Sequence, residues 1–255
     1  MISNFLEILI LSIVQGISEF LPVSSSAHLF LISEIYKFKS QSLLVDVGLH
    51  LGSLLAIIFY FRNELKEIFN NKNLLFLMVL GSLPLIILGA IIYKTGLINY
   101  FRNIEVIAWT TLIFALLLYI ADKFENKKKI ESDLQLKPIL IIGLFQILAL
   151  IPGVSRSGIV ITAGRFLNFS RYDSTKISFY LSIPAISGAS FLSLRSLVDK
   201  NIDLNLIVLV SILLSFIFSY LTIKYFLIFV KKFTLSTFVI YRIILSAILF
   251  LTIYT

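Results

Sequence analysis

Apolar and polar positions along the chain divide into eight apolar stretches, and two of these differ from the rest. Six read as full membrane spans, at 43–61, 74–93, 104–121, 177–194, 206–223 and 233–254. Each is close to the roughly 20 apolar residues that cross a bilayer core. The other two are interrupted. Residues 5–21 stop at "LPVSSSAH" and resume at Leu29, and residues 138–151 stop at "PGVSRSG" and resume at Ile159. Each half is too short to span, and each break combines proline with small or polar residues. Backbone that leaves the helix at membrane depth must be buried in protein or line a wet cavity. The pattern therefore predicts an all-α polytopic membrane protein with six transmembrane helices plus two re-entrant helical hairpins.

Composition agrees with a membrane chain. Of 255 residues, 58% are hydrophobic and only 14% charged, and the mean hydropathy is +0.99. That leaves too little charged surface to coat a soluble domain. The net charge of +8 is read as loops facing anionic lipid headgroups, with no nucleic-acid partner. Cysteine is absent, which excludes disulfides and thiolate metal sites. The opening "MISNFLEILILSIVQGISEFLPV" has no basic start and carries Glu7 inside its apolar run, so it reads as mature structure rather than a cleaved signal peptide.

Loop charge predicts an orientation. If the first hairpin enters from outside and the second from the cytoplasm, loops 62–73, 122–137, 165–176 and 224–232 hold fourteen Lys and Arg residues. Loops 34–42, 94–103 and 195–205 hold six, a positive-inside bias. The two halves also resemble each other. "PVSSS" (22–26) parallels "PGVSRS" (152–157), setting Ser25 against Ser155, and "LGSLPLIILGA" (80–90) parallels "LSIPAISGA" (181–189). The chain is thus expected to be a single membrane domain, 1–255, built from inverted repeats at about 1–121 and 138–255 and linked by the basic loop 122–137. Such repeats bring their broken helices together near the midplane, where the functional site sits.

Ionisable residues at that depth are costly and need a partner or a task. The first break offers Gln15, Glu19 and His28, with Ser24, Ser25 and Ser26 between them. Gln15 and Glu19, four apart, share a helix face. The second offers Gln146, Ser155, Arg156, Ser157 and Thr162, with Gly153 and Gly158 leaving room for close backbone approach. A helix restarts from Ser155, and a helix N-terminus favours anions. With a guanidinium and two hydroxyls there, a phosphate-sized oxyanion is the natural ligand. The span at 43–61 adds Asp46 and His50.

Each feature also has a plainer reading. Arg156 could form a structural ion pair with Glu19, and the serines could be caps and turn formers. His28 could be a satisfied interior histidine, and His50 is read as one. Arg242 in "VIYRII" is read as an interior or interfacial anchor beside Tyr241. None of these explains why acid, histidine, hydroxyls and arginine all fall at two matching breaks. Together they suit phosphoryl transfer, where catalysis is mainly positioning and charge neutralisation. Arg156 with Ser155, Ser157 and the local amides would hold phosphate. Glu19, His28 and Ser25 could attack phosphorus, activate water or protonate a leaving oxygen, with Ser25 and His28 rival nucleophiles. Gln15 can only hydrogen-bond. Glu19 is the candidate ligand for a divalent cation, Mg²⁺ or Ca²⁺, although one carboxylate is thin for a metal site. A substrate met within the membrane should carry a lipid tail. The rival function is a transporter or flippase of a lipid phosphate or other anion, because broken helices in inverted repeats are common in carriers.

"QGISEFLPVSSSAHL" (15–29) and "PGVSRSG" (152–158), with "VDVGLHLGSLLAIIFYF" (45–61) and "FQILALIPG" (145–153), resemble the bacterial undecaprenyl diphosphate phosphatase (bacitracin-resistance protein) family almost from end to end. The resemblance implies a multi-pass enzyme of the bacterial cytoplasmic membrane that removes the terminal phosphate of undecaprenyl diphosphate. That would recycle the lipid carrier for cell-wall polymers. It further implies an outward-facing site, a divalent-cation requirement and a homodimer. The family's motif residues fall on Gln15, Glu19, Ser25, His28, Ser155, Arg156 and Ser157. Two positions depart from it. Val160 stands where threonine is common, with Thr162 about 200° further around the helix, and Ala27 stands where glycine is frequent.

Overall fold

The computed structural model describes residues 2–36, 38, 42–101, 103–195 and 206–254. Its elements are helical throughout: α1 (Ile2–Ser18), α2 (Ser25–Tyr36), α3 (Leu43–Tyr60), α4 (Arg62–Asn70), α5 (Lys72–Thr95), α6 (Ile98–Phe101), α7 (Ile104–Asp122), α8 (Ile130–Asp133), α9 (Leu136–Gln146), α10 (Arg156–Phe166), α11 (Arg171–Arg195), α12 (Leu206–Lys232) and α13 (Ser236–Tyr254). A 3₁₀ turn, Ile147–Leu150, extends α9. Six helices among the described residues are long and apolar enough to cross a membrane: α3, α5, α7, α11, α12 and α13. These are the six expected spans. Large apolar side chains such as Phe59, Phe76, Leu213, Ile244 and Leu251 point outward from them, as lipid-facing surfaces must.

Side-chain caps set several boundaries. Ser42 accepts from the Val45 amide at α3, Asn71 from Leu74 at α5, and Asn103 from Val106 at α7, each satisfying one orphan donor of a first turn. The Ser170 hydroxyl accepts from the Asp173 amide at 3.0 Å. The helix therefore starts six residues before the apolar span expected at 177. Likewise α12 runs on to Lys232, past the expected end at 223. Two basic segments read as loops are thus largely helix extensions. Residues 37 and 39–41 of loop 34–42, and 196–205 of loop 195–205, lie outside the described residues.

Helices α1 and α9 have 17 and 11 residues, about 26 and 17 Å at the α-helical rise. After each break the chain resumes as a helix, and α1 packs on α2 and α9 on α10. The spans close around these pairs: α3 packs along α12, α7 along α13, α1 on α12 and α5 on α9. Small residues permit the approach, as in membrane helix pairs generally. A Cβ on Gly52 would sit 2.3 Å from the Ile212 carbonyl oxygen, and one on Gly48 2.7 Å from Ser211 Oγ. In the same seam Ser53 Oγ meets Ser219 Oγ at 2.9 Å, and Ser215 donates to the Leu49 carbonyl at 2.6 Å.

The likeness between residues 80–90 and 181–189 has a different meaning from the expected one. The first stretch lies on α5, the second span of its half, and the other on α11, the first of its half. They are not equivalent in order; both line one cavity. At one end of the bundle the basic segments converge. Asp122 pairs with Arg171 at 2.6 Å and accepts from the Leu235 amide at 3.0 Å. Arg165 donates to the Phe124 and Glu125 carbonyls and to Asn126. Lys176 pairs with Glu64 at 2.7 Å, and Lys231 lies 4.3 Å over the Tyr172 ring.

Replacing Gly52 with leucine should separate α3 from α12 and destabilise the bundle by about 1–3 kcal/mol, the range for overpacking. Thermal unfolding of the detergent-solubilised protein reads this as a lowered midpoint; Ser42→Ala, which loses only a cap, should lower it less.

Candidate active site

Both breaks use the same backbone device. Ser24 and Ser155 sit in the left-handed region, with φ of 79° and 71°, and a helix restarts immediately after each, at Ser25 and Arg156. Holding a non-glycine residue there costs on the order of 1–3 kcal/mol, a strain found where function needs it. The shared geometry corrects the sequence register by one residue. Val23-Ser24-Ser25-Ser26 matches Val154-Ser155-Arg156-Ser157, so Ser25 stands opposite Arg156 rather than Ser155.

Unwound backbone at this depth needs donors for its carbonyls, and side chains supply them. Ser157 Oγ donates to the Leu21 carbonyl at 2.6 Å, and Thr110 Oγ1 to the Pro152 carbonyl at 2.6 Å. Arg242 reaches the Pro22 and Gly153 carbonyls. Gly153, at φ 88°, is required twice over, since a Cβ would also lie 2.1 Å from Thr110 Oγ1.

The two restarted helices meet on one carboxylate. Glu19 is the first residue beyond α1 and is buried. Its Oε1 accepts from Arg156 Nη2 at 3.0 Å. Its Oε2 accepts from Ser25 Oγ at 2.7 Å and from Gln15 Nε2 at 3.0 Å. Both helix-initial residues are therefore bound to Glu19, one through each oxygen. Arg156 is steadied from α11, where Nη1 donates to the Ser178 carbonyl at 3.2 Å. At α10 the Ser155 hydroxyl accepts from the Gly158 amide at 3.1 Å and contacts Ser157 Oγ at 3.1 Å. Ser155 thus caps the helix, and the Gly158 amide is already engaged.

A cavity of about 470 Å³ opens beside this junction. Its polar end is made by Glu19, Ser24, Ser25, His50, Ser155 and Arg156, and its apolar wall by α5 and α11. Several expected site residues are not among the described residues lining it. His28 is turned toward α13: Nδ1 meets the Ser24 carbonyl at 2.6 Å and Nε2 the Tyr241 hydroxyl at 2.5 Å. Because a carbonyl only accepts, Nδ1 carries the proton and Nε2 accepts from Tyr241. Thr162 donates to the Gly158 carbonyl of its own helix at 2.7 Å. Neither it nor Val160, which is itself fully buried, is among the described residues lining the cavity. Gln15, Ser157, Gly153 and Gly158 shape the junction from behind. The side chain of Ser26 lies outside the described residues.

His50 is the residue whose place the sequence understated. Its Nδ1 is fixed on the Asp46 carbonyl at 2.8 Å, and Nε2 faces Glu19 Oε2 at 3.9 Å. The signal was available as Asp46 and His50 one turn apart, but nothing in the chain order says that α3 passes the first break. For a resident metal ion the donor set is poor. Among the described residues lining the cavity Glu19 is the single carboxylate, and its oxygens are engaged. No group of three ligating side chains occurs among the described residues.

The family described as "Bacitracin resistance protein BacA" matches residues 8–248. The chain belongs to that family. Its relatives in the family include the undecaprenyl-diphosphatase of Pelagibacter ubique (strain HTCC1062), 60% identical over 255 residues and all of both chains. The undecaprenyl-diphosphatase of Elusimicrobium minutum (strain Pei191) is 41% identical, covering 95% of this chain and 96% of that one. That of Alteromonas mediterranea is 40% identical over the same shares.

If left-handed backbone is what places Ser25, then Ser24→Gly should keep or raise the unfolding midpoint in detergent. Ser24→Val should lower stability by about 1–3 kcal/mol, since a branched side chain fits that conformation worst.

Proposed function

We propose that the protein hydrolyses undecaprenyl diphosphate to the monophosphate and inorganic phosphate, as its relatives' names state for them. The observation that carries this reading is a serine hydroxyl and an arginine held on opposite oxygens of one buried carboxylate at the mouth of a cavity. An incoming diphosphate competes with Glu19 for the guanidinium, and the amides at the start of α10 add to the attraction. Arg156 then neutralises the terminal phosphate while Glu19 is left to accept the Ser25 proton. In the first step the Ser25 Oγ–P bond forms and the bond from phosphorus to the bridging oxygen breaks, releasing the lipid monophosphate. In the second, water attacks phosphorus, Oγ leaves and takes back the proton from Glu19, and inorganic phosphate departs as dihydrogen phosphate carrying both protons of the water. Catalysis of this kind is largely positioning and charge stabilisation.

The donor set suits Mg²⁺ or Ca²⁺ only as an ion with one protein carboxylate and its remaining ligands from diphosphate oxygens and water, a usual mode for Mg²⁺. In our reading the cation requirement belongs to the substrate complex.

The apolar wall supports a lipid-tailed substrate. Gly89 and Gly188 lie inside helices, where glycine costs about 1 kcal/mol relative to alanine. Packing does not require either one: a Cβ on Gly188 would meet only Ile86, at 3.9 Å, and one on Gly89 only Leu150, at 3.4 Å. Both line the cavity, and their smallness leaves width for an isoprenoid chain. Orientation follows the same frame. The basic segments gather at the end where α5 and α11 begin, while the wall runs to Tyr93 and Ser193 at their far ends. With positive residues inside, the cavity opens on the outer side of the bacterial cytoplasmic membrane, and α1–α2 and α9–α10 are re-entrant. Inverted repeats are supported by matching contacts: α1 on α12 has its counterpart in α9 on α5, and α3 on α12 in α11 on α5. A carrier would have no use for a serine bonded to a carboxylate opposite the clamp, which favours the enzyme over the flippase.

Purified protein in detergent should release inorganic phosphate from a long-chain polyprenyl diphosphate with added Mg²⁺ or Ca²⁺. Glu19→Ala and Arg156→Ala should each lower kcat/KM by about 100-fold or more, with unfolding midpoints showing that both stay folded. Full activity in the Glu19 variant, or none in the wild type, would overturn the reading. Gly188→Leu should raise KM several-fold for the long-chain substrate and leave a short-chain prenyl diphosphate unaffected.

A further inference from the structure

One buried guanidinium outside the cavity's lining touches both breaks at once. Arg242 lies on α13 with no exposed surface. Its Nη2 donates to the Gly153 carbonyl at 2.9 Å, Nη1 to the Pro22 carbonyl at 3.4 Å, and Nε to the Thr111 carbonyl of α7 at 3.3 Å. In the register fixed by Ser24 and Ser155, Pro22 and Gly153 are equivalent positions. Each stands three residues before the helix-initial residue that binds Glu19, namely Ser25 and Arg156. The preceding residue, Tyr241, holds His28 one turn into α2. Among the described residues no carboxylate pairs with Arg242 within 4.0 Å, so its charge answers to carbonyl dipoles alone.

We propose that Arg242 is a positioning residue, which fixes the nucleophile Ser25 relative to the clamp Arg156 by gripping the matching carbonyls of the two breaks. The planar fork matters as much as the charge. Three N–H directions serve three carbonyls on three separate segments, a task a lysine ammonium on a flexible stem cannot copy. If the grip loosens, the two breaks shift independently and the hydroxyl leaves the line of attack, while the cavity and its positive charge persist. A buried cation is an expensive way to bond carbonyls in a membrane protein. Its unneutralised charge also favours the diphosphate at the first turn of α10, where a Cβ on Gly158 would come within 3.1 Å of Nη1.

This inference rests on the phosphatase reading, and the test separates the two. Turnover of a long-chain polyprenyl diphosphate is compared in wild type, Arg242→Lys and Arg242→Gln, with unfolding midpoints recorded. Arg242→Lys keeps the charge and loses the fork; kcat should fall about 100-fold, the cost of a misplacement near 1 Å, with KM within a factor of two or three of wild type. Arg242→Gln should lose kcat and raise KM as well. Added guanidinium should restore kcat in Arg242→Ala, where methylammonium should not; this arm also serves if the lysine variant does not stay folded. Wild-type kcat in the lysine variant, or equal rescue by the two cations, overturns the positioning role and leaves the phosphatase reading intact. No turnover by the wild type would refute that reading itself.

Discussion

A carboxylate buried at membrane depth is tolerable only when its lone pairs are occupied, and Glu19 takes donors from three helices. Gln15 approaches from α1, Ser25 from α2 and Arg156 from α10. That single group is where the two interrupted helices meet, so the breaks, their caps and their supporting donors can be understood as what is needed to bring it three partners. The strained Ser24 and Ser155 start new helices at the right point and direction. Ser157, Thr110 and Arg242 then satisfy the carbonyls that the breaks expose. The spans enclose this assembly through glycine and serine seams rather than large apolar interlocks, because lipid gives no hydrophobic reason for helices to associate.

Much of the architecture was legible in the chain. Span length and hydropathy depend on local composition, so the six crossing helices were evident, as were the two interruptions around Pro22 and Pro152. The pairing of Glu19 with Arg156 was legible only as the plainer alternative to a phosphate clamp, and the two side chains do meet, at 3.0 Å. Register and facing were not legible. Ser25 was set against Ser155, because identity between serines outweighs a one-residue offset on paper; only the left-handed backbone at Ser24 and Ser155 fixes the match. Ends of helices were misjudged at Arg171 and Lys232 because amphipathic extensions beyond a span carry no hydropathy signal.

The histidines illustrate the remaining gap. His28 lies beside the serines in sequence, yet the first turns of α2 carry it away from the cavity and onto Tyr241, where the rings stack at 5.7 Å. His50 lies far from them in sequence and reaches Glu19 because α3 passes the first break. Both rings are fixed by a carbonyl one turn earlier, so their local settings are alike. What differs is tertiary: one free nitrogen meets a tyrosine and the other faces the cavity. Thr162 gives the same lesson, its hydroxyl donating to its own helix at the Gly158 carbonyl.

The central claim is that the hydroxyl at the start of α2 attacks the phosphate held at the start of α10. Rapid acid quench of the protein during turnover of a polyprenyl diphosphate, followed by mass analysis of the peptide containing residues 19–36, tests it directly. The account predicts a phosphoryl group on Ser25 that accumulates and decays with turnover and is absent from Ser25→Ala. A phosphoryl group on a histidine, or phosphate that acquires its oxygen from labelled water in a single turnover with the protein never modified, would contradict it.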